Sequence, residues 1–207
     1  MSIADDIHTL NKEIRCCHKC RLAKSRRNAV CGEGDSSAQI LFVAQAPGEN
    51  EDREGIMFIG PSGMVLNEML RTIKMDRKDI YMTNLIKCQL PKNRKPKADE
   101  IETCGPFLDR EIGAVRPGIL VPLGYYATRY IFEKYGIASS SKSEFHRAYG
   151  NIFVAGHQEI IPIQHPAALL HNPAVRENMT RNYNKLRDRA QDMAEKSTGF
   201  HGETLPL

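Results

Sequence analysis

The chain has 207 residues, 26% of them charged and 41% hydrophobic, with a net charge of +4. That balance belongs to a folded globular protein of about one domain and excludes disorder as its main state. No run of about 18 apolar residues is present, which excludes a transmembrane helix, and residues 1–17 lack a signal peptide's apolar core, so a cytoplasmic location is expected.

Residues 3–14 predict a short helix leading into the first cysteines. Residues 39–45 (QILFVAQ) form an apolar run, the mark of a buried strand, and end on the turn signal Ala46-Pro47-Gly48. Val65, Leu66, Met69, Leu70 and Ile73 recur at helical spacing within 62–74. Residues 80–86 predict a second strand, 97–115 a helix carrying Cys104, 118–123 a third strand and 124–135 another helix. Short strands are expected at 152–155 and 160–164, and a last helix over 173–196. Residues 198–207 are expected to form a flexible tail behind a single domain over 1–197. Alternating strands and helices predict an α/β fold: a three-layer αβα sandwich around a short, mainly parallel four-stranded sheet. In such sheets ligands bind beyond the carboxyl ends of the strands. Three loops meet there, at 46–63, 87–96 and 165–173.

Charge and cysteines gather near these loops. Residues 15–27 hold six Lys or Arg and no acid, and residues 87–97 hold five and no acid, which points to a polyanionic partner or to two solvated loops. Cys17 and Cys20 form a C-x-x-C, and fifteen residues separate Cys88 from Cys104. Four thiolates so placed can hold zinc or an iron–sulfur cluster, and the long second spacing leans towards a cubane. Cys31 and Cys16 read as a small buried hydrophobe and as a neighbour that cannot easily share the site.

Individual residues have ordinary readings as well. Phe58, inside Met57-Phe58-Ile59, is core by default and a stacking platform otherwise. Asn84 near a strand end suits a base edge or a turn cap. His165 precedes a proline, which fixes its backbone. Glu49, Glu51 and Asp52 place carboxylates beside the Pro47-Gly48 turn.

Taken in order, these motifs are similar to those of the family 4 uracil-DNA glycosylases, the iron–sulfur branch, across roughly residues 10–190. Cys17, Cys20, Cys88 and Cys104 match the family's cluster signature, residues 46–52 its first motif and His165-Pro166-Ala167 its second. The resemblance implies a [4Fe-4S] cluster on those four cysteines. It implies a uracil pocket of Gln45, Ala46, Gly48, Phe58, Asn84 and His165, with Phe58 stacking on the flipped base and Asn84 pairing with O4 and N3–H. His165 would donate to O2 as the bond breaks, and Glu51, with Glu49 as second candidate, would orient water. Lys92, Asn93, Arg94 and Lys95 would touch DNA. The implied protein is a monomeric, nucleoid-associated prokaryotic enzyme acting on uracil in single- or double-stranded DNA. Two departures stand out. Ala44-Gln45 replaces the family's usual Gly-Glu, and Ala46 stands where better-known uracil glycosylases carry a water-handling Asp. The small Ala46 also leaves room near C5 of the base. A uracil-DNA binder without base release, or one trapping DNA covalently, is one alternative, although residues 87–104 lack the histidine-bearing insertion of the covalent branch. A zinc-stapled nucleic-acid-binding module is the other.

Overall fold

The computed structural model describes residues 3–138 and 142–198. In chain order the elements are α1 (Ile3–Arg15), β1 (Glu33–Gly34), β2 (Ile40–Ala44), α2 (Glu49–Glu54), α3 (Pro61–Thr72), β3 (Tyr81–Asn84) and α4 (Ala98–Val115). They continue with β4 (Ile119–Pro122), α5 (Tyr125–Lys134), α6 (Lys142–Ala148), β5 (Phe153–Ala155), β6 (Gln158–Ile160), α7 (Ala167–His171) and α8 (Arg176–Thr198). The expected tail lies outside the described residues apart from Thr198, which closes α8.

The strands build one sheet in the order β1-β3-β2-β4-β6-β5. Strands β3, β2, β4 and β6 are parallel, and β1 and β5 pair antiparallel at the two edges. The sheet thus has six strands, not the expected four. The two-residue β1 has no apolar run to announce it, and β5 folds back on β6 as a hairpin. The second short strand was expected at 160–164, but β6 begins at Gln158. Beyond it the chain keeps the parallel register, with Ile161 N–H donating to the Leu120 carbonyl at 2.9 Å and Ile163 N–H to that of Pro122 at 3.0 Å.

Alternation along β2 shows why the chain needs helices on both faces. Leu41 and Val43 enter one core with side chains of α1, α4, α5 and α6, while Ile40, Phe42 and Ala44 enter a second with α3, α7 and α8. A strand buried on both sides reads as a continuous apolar run, as residues 40–44 do. The αβα layering follows as expected.

One buried ion pair sits between the sheet and α4. Lys87 is 2% exposed; its Nζ donates to Thr83 Oγ1 and to the Asn84 carbonyl, each at 2.7 Å, and pairs with the fully buried Glu111. Removing one partner strands the other charge in a dry interior. Glu111→Ala should therefore cost about 3–5 kcal/mol in urea denaturation, and Lys87→Met with Glu111→Leu should recover most of that loss.

Candidate active site

The carboxyl ends of β2 and β3, the start of α3 and the segment before α7 surround one cleft of about 540 Å³. It is lined by the turn 45–48 and by Phe58, Asn84 and His165, with Glu51 in the wall. The structure therefore brings together every residue expected for the uracil pocket, from the loop after β2, the end of β3 and the segment before α7.

The turn after β2 begins α2, with extended Gly48 as its N-cap and left-handed Gly55 (φ 74°) closing it. Residues 46–63, expected as a loop, thus contain a one-and-a-half-turn helix and the first turn of α3. Asp52 is buried and accepts the Arg27 and Asn28 N–H groups, tying α2 to the N-terminal segment. Glu51 is also buried, and its Oε1 accepts Gly60 N–H at 2.7 Å. That bond satisfies an amide at the N-cap of α3, where a carboxylate also favours the helix dipole. Oε2 lies against Gly48, where an added Cβ would come within 2.5 Å of it. Glu51 therefore caps a helix with one oxygen and also lines the cleft. Glu49 also lines it but is exposed.

Phe58 is 6% exposed and belongs both to the second core and to the lining of the cleft. Its backbone is left-handed (φ 50°), an outlier for an aromatic residue that costs of order 1–3 kcal/mol. Asn84 ends β3 at 2% exposure, and its Nδ2 donates to Met57 Sδ at 3.0 Å. His165 lies beside Phe58, with ring centroids 6.4 Å apart and planes tilted by 31°. Its Nδ1 accepts Ala167 N–H at 3.1 Å. An acceptor nitrogen carries no proton, so the neutral ring holds its proton on Nε2. Burial pushes its pKa down to about 4.

On the other side of β3, Cys17, Cys20, Cys88 and Cys104 line a narrow cavity together. Cys16 is exposed, and Cys31 is buried elsewhere, its thiol 3.5 Å from the Asn11 carbonyl. Arg26 Nη1 donates to Cys88 Sγ at 3.1 Å, and Lys87 N–H to Cys104 Sγ at 3.2 Å. Burial pushes the Cys104 thiol up to about 11, so a thiolate there needs a cation. Among the described residues no three His, Cys, Asp or Glu side chains converge on a point that would hold a single ion. Four cysteines around one void, with donors to two of the sulfurs, fit a metal-bearing group.

In the basic loop, Lys92 and Lys95 are exposed, and Asn93 is exposed while also reaching the cleft. Arg94 is committed elsewhere: both terminal nitrogens donate to the buried Glu100, which also accepts Lys97 N–H at 2.9 Å. That ion pair ties the loop to α4, and Lys92, Lys95 and Lys97 are exposed lysines of the same segment.

Residues 31–188 match the family model described as the Uracil DNA glycosylase superfamily. The chain is 39% identical over 186 residues to a type-4 uracil-DNA glycosylase of Saccharolobus solfataricus, covering 89% of this chain and 86% of that protein. It is 42% identical over 189 residues to a type-4 uracil-DNA glycosylase of Sulfurisphaera tokodaii (90% and 86% covered). A third, from Archaeoglobus fulgidus, is 38% identical over 190 residues (90% and 92%). The chain belongs to the uracil DNA glycosylase superfamily, in its type-4 branch.

In this member of the family, Arg77 and Glu33 hold the segment at Met57 and Phe58 with no mark in the sequence. Met57 N–H donates to Glu33 Oε1 at 2.9 Å, and Arg77 donates to the carbonyls of Met57 and Phe58. Nothing in a linear sequence marks contacts spanning some twenty residues. The one local signal was Gly60-Pro61, an N-cap and first-turn proline that places the start of α3.

The low pKa of His165 has a testable consequence. An unfolded histidine titrates near 6.5, so as pH falls the unfolded chain takes the proton first. The contribution of His165 to stability should therefore be lost between about pH 6.5 and 4. Glu49, Glu51 and His171 share the cleft, but none is hydrogen-bonded to its ring. An NMR titration of the His165 imidazole should show no protonation between pH 8 and 5.

Proposed function

We propose that this chain is a monofunctional uracil-DNA glycosylase, which flips uracil out of DNA, hydrolyses its N-glycosidic bond and leaves an abasic site, as in repair of deaminated cytosine. The observation that carries the reading is the convergence of an aromatic ring, a buried amide and a neutral imidazole on one cleft. A base inside a duplex cannot be reached, so the enzyme must extrude it, and the extruded base needs a π-face and a polar edge to read it. Phe58 supplies the face. The Asn84 amide, a donor and an acceptor on one rigid group, pairs with O4 and N3–H and rejects cytosine, which carries N4–H₂ and no N3–H.

As the bond breaks, negative charge grows on the departing uracil. His165 donates from Nε2 to O2, and its neutrality at pH 7 suits a hydrogen-bond donor to a developing anion. Backbone N–H groups of the turn 45–48, beside Gln45, Ala46 and Gly48, add further donors. Glu51, through the oxygen not bound to Gly60, orients the water that meets the sugar. Lys92 and Lys95 contact phosphates, Asn93 approaches the strand beside the cleft, and Arg94 acts through the loop it holds.

Cys17, Cys20, Cys88 and Cys104 would hold a [4Fe-4S] cluster. That group would be structural and supply no step of the reaction; its ligands join the N-terminal segment to the loop after β3 and to α4. The protein acts as a monomer at the nucleoid, on uracil in single- or double-stranded DNA.

Incubation with a uracil-containing oligonucleotide, then alkali and a gel, tests the reading. Cleavage is expected at uracil only, and borohydride should trap no adduct. An intact strand would leave a binding protein instead. His165→Ala should slow single-turnover excision by about 10²-fold or more while leaving DNA affinity within a few-fold. The purified protein should be brown, with absorbance near 400 nm. Cys104→Ala should be colourless and poorly folded, whereas Cys16→Ser and Cys31→Ser should keep the colour.

A further inference from the structure

Phe58 is held from outside the cleft. We infer that Arg77 is a positioning residue for base excision, fixing the Phe58 ring by gripping the backbone that carries it. This rests on reading the cleft as a uracil pocket. Arg77 opens the short turn Arg77–Asp79 ahead of β3 and is not among the residues lining the cleft. Its Nη1 donates to the Met57 carbonyl at 3.1 Å, its Nη2 to the Phe58 carbonyl, and its Nε to Asn67 Oδ1 on α3 at 2.7 Å.

The segment is pinned from other directions too. A Cβ on Gly63 would fall 1.7 Å from the Phe58 carbonyl oxygen, so the α3 backbone closes on the same group. Met57 N–H is taken by Glu33 and Gly60 N–H by Glu51. A left-handed aromatic persists only where its surroundings over-determine it, and here the surroundings are this clamp. A lysine has no planar fork to span two successive carbonyls and a third acceptor at once.

The test is a double-mutant cycle on single-turnover uracil excision by holoenzyme: wild type, Arg77→Lys, Phe58→Ala and the double variant. Arg77→Lys should slow excision about 10–100-fold alone but less than about 3-fold on Phe58→Ala, since the ring it positions is then absent. An equal loss in both backgrounds, or none in either, overturns the inference. Should Arg77→Lys fail to fold, Asn67→Ala removes only the Nε partner. It should slow excision about 3–10-fold, again only while Phe58 is present, and a background-independent loss overturns the inference. Fluorine NMR of holoenzyme labelled with 4-fluorophenylalanine reads the ring without chemistry. The Phe58 signal should shift or broaden in Arg77→Lys while those of the other six phenylalanines stay. An unchanged Phe58 signal overturns the role of Arg77. A wild-type holoenzyme that excises no uracil overturns the reading of the cleft instead, and the fluorine measurement then decides Arg77 alone.

Discussion

The Lys87 ammonium has nowhere to go but to its three partners, and that confinement organises the molecule around it. Its hydrogens are shared among Thr83, the Asn84 carbonyl and Glu111, all buried. Its backbone faces two ways as well: the N–H donates to Cys104 Sγ and the carbonyl accepts Val30 N–H. The end of β3 is therefore locked from below by α4 and from beyond by the cysteine cavity. Asn84, whose carbonyl accepts Lys87 Nζ, therefore stands on a tied stretch of backbone at the edge of the cleft. Buried ion pairs contribute little net stability, since desolvation offsets attraction. What this one supplies is a fixed position.

The opposite wall is fixed by different means. Residues 57–60 have no helix or strand of their own, so their polar groups are satisfied by Glu33, Arg77 and Glu51, each from a different part of the chain. The segment stores strain at Phe58 in exchange for a ring held over the cleft. His165 is set by its own Ala167 N–H and by the Gly124 backbone, where a side chain would begin 3.1 Å from the His165 Cβ. Three walls converge on one volume, those of Phe58 and Asn84 joined through Met57, and burial lowers the pKa of the imidazole. Electrostatic stabilisation of a departing anion requires such donors to be in place before the reaction begins.

Much of this was legible along the chain. The apolar runs at 40–44 and 119–122 announce central parallel strands, because burial on both faces removes polar alternation. The residues that line the cleft and the cysteine cavity were legible because loops at the carboxyl ends of such strands must meet, and because the cysteine spacings and motif order resemble one family. What stayed hidden depends on contacts between distant residues. The edge strand β1 is two residues of Glu-Gly, with no pattern to read. Glu51 as a helix cap and Arg94 as a partner of Glu100 require knowing which amide or acid comes within reach. Lys87 looked like part of a basic, solvated loop, since charge in sequence does not tell a surface ammonium from one buried against a glutamate on α4.

Asn84 reading the base from a fixed position is tested most directly by single-turnover excision with Asn84→Asp. The substitution keeps shape and volume but turns the amide donor into an acceptor facing the base. Uracil excision should fall by about 10²-fold or more, because a buried group left without its partner costs roughly 1–3 kcal/mol and a charge costs more. Thermal stability and affinity for abasic-site DNA should stay close to those of the wild type. Excision at the wild-type rate would contradict the account and leave Asn84 as a residue that merely ends a strand.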